Sequence, residues 1–135
     1  MKGIETVQTT TTLDRDAACQ LVLKVMELLL DPDMSEQARR YLTESYIQHN
    51  PNIPSGADAI IQFTRSEEAE RARKSMRPAT EPPMFVVEGD RIVMVLPRDL
   101  PDPSNPSQTY RTYWFDMWRI EDGKLAEHWD GALKE

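Results

Sequence analysis

The first regular pattern along the chain is an apolar repeat at intervals of three and four residues, formed by Ala18, Leu21, Val22, Val25, Met26 and Leu29. This spacing places the apolar side chains on one face of a helix. Asp14 and Asp16 lie at its start, where the positive end of the helix dipole favours acidic side chains. Pro32 ends the helix, because the residue before a proline avoids the helical conformation.

Two further helices and one short strand are predicted before the β-rich half of the chain. Residues 35–42 indicate a short helix, and residues 46–50 indicate a short edge strand that stops at a proline. Ser55 and Asp58 resemble a capping box at the start of a helix that runs to about residue 75. The second half of that helix is nearly all charge, so it is expected to lie in solvent or face a partner.

The second half of the chain has the alternation and the turn signals of β-strands. Gly89-Asp90 and Asp122-Gly123 are hairpin turn pairs. Residues 97–108 contain four prolines, which predict a loop without regular structure. Helices followed by an antiparallel meander indicate an α+β fold with the helices on one face of a sheet. The predicted strands are residues 84–88, 91–96, 110–120 and 124–130.

Side-chain alternation in the last two strands brings polar and aromatic residues to one face. Trp114, Asp116 and Trp118 share a face of the long strand, and His128 and Asp130 share a face of the final strand. If both faces point inward, the acids and the histidine converge among indole rings, as in a small-molecule pocket. A carboxyl group shielded from water can exchange protons near neutral pH, and an imidazole can relay them.

Each of these polar residues also has a purely structural interpretation. His128 alone fits a half-buried, hydrogen-bonded strand residue. Asp116 alone fits an ion pair with Arg119 or Arg111, and Asp130 alone fits a cap at the chain end. The catalytic interpretation therefore depends on the three residues lying together.

Composition and charge narrow the classes of partner. The chain has 135 residues, 39% of them hydrophobic and 29% charged, which is typical of one globular domain. We expect a flexible polar arm over residues 1–12 and a single domain over residues 13–135. Lys and Arg total 16 and Asp and Glu total 23, so the net charge is −7. A surface of that sign repels nucleic acids and anionic membranes, so neither is an expected partner.

Cysteine content and hydropathy bear on the compartment. Cys19 is the single cysteine, so neither an internal disulfide nor a cysteine-rich zinc cluster can form. The apolar run at residues 28–30 is far too short to cross a bilayer. We therefore expect a cytoplasmic protein.

Two segments resemble a known family. YIQHNP at residues 46–51 and DMWRIEDGKLAEHWD at residues 116–130 are similar to the SnoaL-like proteins, which are polyketide cyclases and their relatives in the nuclear transport factor 2-like superfamily. The resemblance covers residues 14–131. It implies a cone in which a curved, mostly antiparallel sheet wraps around the N-terminal helices and encloses an apolar cavity. It also implies a homodimer that pairs through the outer face of the sheet.

The resemblance further implies a chemistry and a set of site residues. In the cyclases, an aspartate at the position of Asp130 is the general acid and base of an intramolecular aldol closure that uses no metal and no organic cofactor. A histidine at the place of His49 and a polar residue at the place of Asp116 line the same cavity. The cyclases often carry a histidine where this chain has Asp116, and they lack the proline-rich segment at residues 97–108, which is expected to act as a lid or a new pocket wall.

The leading hypothesis is therefore an enzyme that binds a small apolar carbonyl compound. Asp130 would move a proton at the carbon next to the carbonyl, His128 or His49 would orient it or stabilise an enolate, and Asp116 would tune the pair. The alternatives are a non-catalytic binding domain, an interaction domain with a vestigial pocket, and a metal site of His49, His128 and Asp130. The expected substrate-binding residues are Trp114, Trp118, Tyr46 and Phe63.

Overall fold

The N-terminal helix forms as its apolar repeat predicts. A computed structural model describes residues 14–75 and 81–135, so the arm expected over residues 1–12 lies outside the described residues. Helix α1 spans Arg15–Leu29, and Asp14 caps it by accepting a hydrogen bond from the backbone N–H of Ala17 at 2.8 Å. The residues of its buried face are Ala18, Cys19, Val22, Val25 and Leu28.

A short 3₁₀ helix and the first strand follow α1. The 3₁₀ helix spans Ser35–Tyr41 and strand β1 spans Leu42–Gln48. Both elements were predicted, although β1 begins four residues earlier than the expected strand.

The single helix predicted after β1 is in fact two helices. Helix α2 spans Ala57–Thr64 and helix α3 spans Glu67–Ser75. The chain breaks between them because the hydroxyl of Ser66 accepts a hydrogen bond from the backbone N–H of Ala69 at 3.1 Å and so starts a new helix. The predicted capping box does not form, since the hydroxyl of Ser55 instead accepts from the backbone N–H of Gln48 at 2.9 Å.

The strands form one curved five-stranded sheet in the order β1-β5-β4-β3-β2. Strand β1 lies at one edge and runs parallel to β5, and the remaining pairs are antiparallel. The predicted turns at Gly89-Asp90 and Asp122-Gly123 join β2 to β3 and β4 to β5. The later strands are β2 (Met84–Glu88), β3 (Arg91–Asp102), β4 (Asn105–Glu121) and β5 (Lys124–Asp130).

The loop expected over residues 97–108 is wrong, because β3 and β4 continue through it as a long hairpin. Pro97 pairs with Tyr113 and Pro101 with Thr109. Strand β2 pairs with β3 only as far as Val95, so beyond that point β3 has an unpaired edge within the described residues. Residues four positions apart on a strand direct their backbone N–H groups to the same edge. Pro97 and Pro101 lack an N–H, and at the unpaired edge of β3 no hydrogen bond between strands is lost.

The core lies between α1 and one face of the sheet. Val22 and Val25 pack with Ile92, Trp118 and Leu125, all of them buried. Strict alternation from His128 and Asp130 would place Leu125 on the opposite face of β5, but Leu125 is fully buried in the core. A register shift between Arg119 and Ile120 in the β4–β5 pair lets both Leu125 and Ala126 face the core.

The architecture confirms the predicted α+β class, with helices against one face of a mostly antiparallel sheet. Among the described helices, none is long and apolar enough to cross a membrane.

Candidate functional site

A cavity of about 500 Å³ opens between the helices and the inner face of the sheet. This volume is within the range of small-molecule sites. All four predicted aromatic residues line it, together with apolar side chains of α1 and α2. The principal lining residues are Val25, Met26, Leu29, Tyr46, Gln48, Ile60, Phe63, Trp114, Asp116, Trp118 and His128.

The polar end of the cavity is formed by facing positions of β4 and β5. Asp116 pairs with Asp130 and Trp118 pairs with His128, so all four side chains share the inner face. Nε2 of His128 lies 2.9 Å from Oδ1 of Asp116 and 3.9 Å from Oδ2 of Asp130. These side chains are only 10%, 8% and 4% exposed, respectively. The two acids and the histidine therefore converge as alternation predicts.

Gln48 fixes the protonation of the His128 ring, a role that the sequence did not reveal. Oε1 of Gln48 lies 2.6 Å from Nδ1 of His128 and also accepts the backbone N–H of Asn50 at 3.0 Å. A backbone N–H can only donate, so this atom is the amide oxygen and not the nitrogen. Nδ1 of His128 must therefore carry a proton.

Nε2 of His128 and Oδ1 of Asp116 are both acceptors when unprotonated, so their contact requires one further proton between them. That proton sits either on the imidazole, beside an ionised Asp116, or on Asp116, beside a neutral ring. Oδ2 of Asp116 accepts no hydrogen bond from any residue in the described ranges, and Asp116 lines the cavity. The pair therefore offers one mobile proton and one uncommitted carboxyl oxygen at the cavity wall.

Asp130 has a different environment from Asp116. Its Oδ2 accepts from the side-chain amide of Asn50 at 2.9 Å, and its Oδ1 accepts from the backbone N–H of Ala132 at 3.0 Å. Both oxygens of Asp130 are therefore already engaged by protein donors. Asp130 is not among the described residues that line the cavity, although its Oδ2 lies 3.9 Å from Nε2 of His128.

Tyr46 brings a hydroxyl donor to the same cavity. Nε1 of Trp118 donates to the Tyr46 hydroxyl oxygen at 3.2 Å, which fixes the phenol. Burial raises the pKa of Tyr46 well above its usual value, and the nearby carboxylates of Asp116 and Asp130 add to the increase. The phenol therefore stays protonated, and its O–H has no acceptor in the described part of the chain.

The expectation that His49 lines the cavity is wrong. Successive side chains of a strand face opposite sides, so Gln48 points inward and His49 outward. Nε2 of His49 lies 2.7 Å from Oε2 of Glu127, and its ring stacks on Trp129 with centroids 4.9 Å apart. Hydrogen bonds from His49 and Arg119 lower the pKa of Glu127. His49 thus belongs to a polar cluster on the outer face of the sheet.

Because His49 lies on the outer face, the predicted metal site of His49, His128 and Asp130 is wrong. Asp116, His128 and Asp130 do offer three ligand atoms within 4.8 Å of one another. One imidazole and two carboxylates suit a divalent cation. A cation held there would displace the proton shared by His128 and Asp116, so proton and cation are alternative occupants of the site.

Comparisons with known proteins identify the fold. No protein-family model and no curated protein sequence matches the chain. Among solved structures, an NTF2-like protein from Burkholderia xenovorans is 16% identical, with a TM-score of 0.61 over 87% of this chain and 90% of that chain. TsrD from Streptomyces laurentii is 24% identical, with a TM-score of 0.57 over 88% and 90% of the two chains.

A third similar structure, described as a candidate polyketide cyclase from Xanthomonas campestris, is 21% identical, with a TM-score of 0.54 over 86% of this chain and 90% of that chain. The fold is therefore that of the nuclear transport factor 2-like proteins, as the resemblance in the sequence implied. At these identities the likeness concerns the fold alone, and the chemistry must be argued from the cavity.

Proposed function

We propose that the protein is a cofactor-free enzyme that moves a proton at the carbon next to a carbonyl group in a small apolar substrate. The observation that carries this proposal is the Asp116–His128 pair, which holds one shared proton at the wall of an apolar cavity. Aldol-type cyclisation or isomerisation is the proposed reaction class, in keeping with the resemblance to the polyketide cyclases. Both reactions begin with the same proton transfer.

The proposed step uses the residues at the polar end of the cavity. The free carboxylate oxygen of Asp116 takes a proton from the substrate carbon, the C–H electron pair forms a C=C bond to the carbonyl carbon, and the C=O π pair moves onto the oxygen, which becomes an enolate oxygen. The Tyr46 O–H is available to donate to that oxygen, a placement that stabilises charge as it develops. The His128 imidazolium offsets the charge of Asp116 before the step, and the proton then returns to carbon.

Asp130 is the base that the resemblance implies, and it remains the alternative to Asp116. Its oxygens already accept hydrogen bonds from Asn50 and Ala132, and it does not line the cavity. We therefore propose Asp116 as the base and Asp130 as a positioning residue beside the ring of His128.

Deuterium uptake by 1-tetralone in D₂O tests the proposal and separates the two acids. With Asp116 as the base, Asp116→Asn slows exchange by about 100-fold or more, the usual contribution of acid–base catalysis. Asp130→Asn then slows it by less than about tenfold. The reverse order would assign the role to Asp130, and no acceleration by the wild-type protein would contradict the proposed proton transfer. Thermal unfolding of each variant checks that it is folded.

The outer face of the sheet supports a second proposal, that two copies pair there. Phe115 and Val86 are 59% and 61% exposed, and they lie in adjacent rows with Val95 and Val93 across β2, β3 and β4. A contiguous exposed apolar face is typical of an association surface. A cytoplasmic location stays a prediction based on the cysteine content.

A further inference from the structure

Arg98 is a half-buried arginine on the inner face of the long hairpin, and it lines the same cavity as Asp116. Arg98 pairs with Thr112, which lies four positions before Asp116 on β4. That separation corresponds to roughly 13 Å of strand. The pair between them, Leu96 and Trp114, is apolar and also lines the cavity. The inner face thus runs from an acid–base pair across an apolar stretch to a cation.

The positive charge of Arg98 has no ionic partner among the residues that the structure describes. Its guanidinium carbon lies 5.0 Å from the ring centroid of Trp114, and it forms no ion pair within residues 14–75 and 81–135. A cation–π contact orients the guanidinium but leaves its charge in place. Charged groups that are shielded from water are normally paired with an opposite charge. This chain has 23 acidic residues that could have supplied such a partner.

Three other charged residues line the cavity. Arg73 is also half-buried and lines the cavity, and it donates to the backbone carbonyl of Thr64 at 2.8 Å. Glu68 and Glu135 line the cavity as well, but both are exposed to water. Neither acid forms an ion pair with an arginine in the described part of the chain. Arg98 and Arg73 are thus less exposed than Glu68 and Glu135, which favours an anion beside the arginines.

We propose that Arg98 binds a carboxylate of the substrate. The substrate is then an apolar keto acid whose flat body lies along Trp114, with its carboxylate at Arg98 and its carbonyl at Asp116. A guanidinium matches a carboxylate with two parallel N–H···O bonds, and these are stronger than bonds between neutral groups. The inference rests on the proposed function in taking this cavity as the ligand site, and it adds the class of substrate.

Calorimetric binding of two matched probes tests this assignment. The probes are 2-naphthylacetate, which carries a carboxylate, and 2-naphthylacetamide, its neutral counterpart. We expect the wild-type protein to bind the carboxylate at least about tenfold more tightly than the amide. Arg98→Gln abolishes this preference, and Arg98→Lys retains part of it.

Arg91→Gln is the matched control. Arg91 lies on the same strand, and its guanidinium carbon is 4.8 Å from the ring of Trp129, but it faces the outer side of the sheet. This variant should keep the full preference for the carboxylate. Equal binding of both probes by the wild-type protein, or an unchanged preference in Arg98→Gln, would overturn the carboxylate assignment alone. Binding of neither probe would overturn both that assignment and the cavity as a ligand site.

Discussion

Replacing Gln48 with leucine tests the hydrogen-bond network that sets the protonation of His128. The variant keeps most of the side-chain volume but removes Oε1, the acceptor for Nδ1 of His128 at 2.6 Å and for the backbone N–H of Asn50 at 3.0 Å. The His128 side chain is 10% exposed, so water cannot readily replace the lost acceptor.

The expected loss of stability follows from these contacts. A buried donor without a partner costs about 1–3 kcal/mol. The wild-type protein already buries Nε2 of Gln48 without a partner among the described residues, and removing that group offsets part of the loss. We therefore expect the free energy of unfolding to fall by about 1–2 kcal/mol.

Two measurements check this prediction. Urea unfolding gives the change in stability, and ¹⁵N-edited NMR of the two histidine side chains shows whether Nδ1 of His128 carries a proton. We expect that proton in the wild-type protein and rapid exchange of it in Gln48→Leu, with His49 unchanged. Gln37→Leu, at an exposed glutamine of the 3₁₀ helix, is the control and should change stability by less than about 0.5 kcal/mol. An unprotonated Nδ1 in the wild-type protein would refute the network.

Three further predictions concern the charge cluster, the core and the outer face. The pKa of Glu127 is lower in the folded protein than in the unfolded chain, so its ionised carboxylate stabilises the fold at pH values above the unfolded pKa. This contribution is lost as the pH falls through the folded pKa. Glu127→Gln should therefore destabilise at pH 7, and the difference should vanish in urea titrations on the acidic side of the folded pKa. Ile92→Ala, at a fully buried position, should lower the free energy of unfolding by about 2–5 kcal/mol, whereas Leu133→Ala, at a position that is 84% exposed, should leave it within about 0.5 kcal/mol. Phe115→Asp should convert the proposed dimer to a monomer in sedimentation velocity, and a wild-type monomer would contradict the pairing.

The alternation of side chains predicted the centre of the site. Asp116 and Trp118 on β4, and His128 and Asp130 on β5, belong to adjacent antiparallel strands joined by the Asp122-Gly123 turn. A tight turn fixes the pairing of its strands closely enough for facing residues to be inferred from the sequence. Alternation fails in this region only at Leu125, because of the register shift beside the turn, which the sequence pattern does not indicate.

The remaining contacts join segments that are distant in the sequence. Gln48 reaches His128 because β1 runs parallel to β5, and no local signal specifies that pairing. The same alternation applied to β1 would have placed His49 on the face opposite to Tyr46 and Gln48. The prolines of the long hairpin were misinterpreted because their effect depends on which edge of β3 is paired, a property of the whole sheet.

Deuterium exchange into 1-tetralone by His128→Gln, compared with His49→Gln, tests the central claim most directly. His128 shares a proton with Asp116 at the cavity, whereas His49 pairs with Glu127 on the outer face. We predict that His128→Gln slows exchange by about 100-fold and that His49→Gln leaves the rate unchanged. Equal rates in the wild-type protein and both variants would contradict the assignment of proton transfer to this cavity.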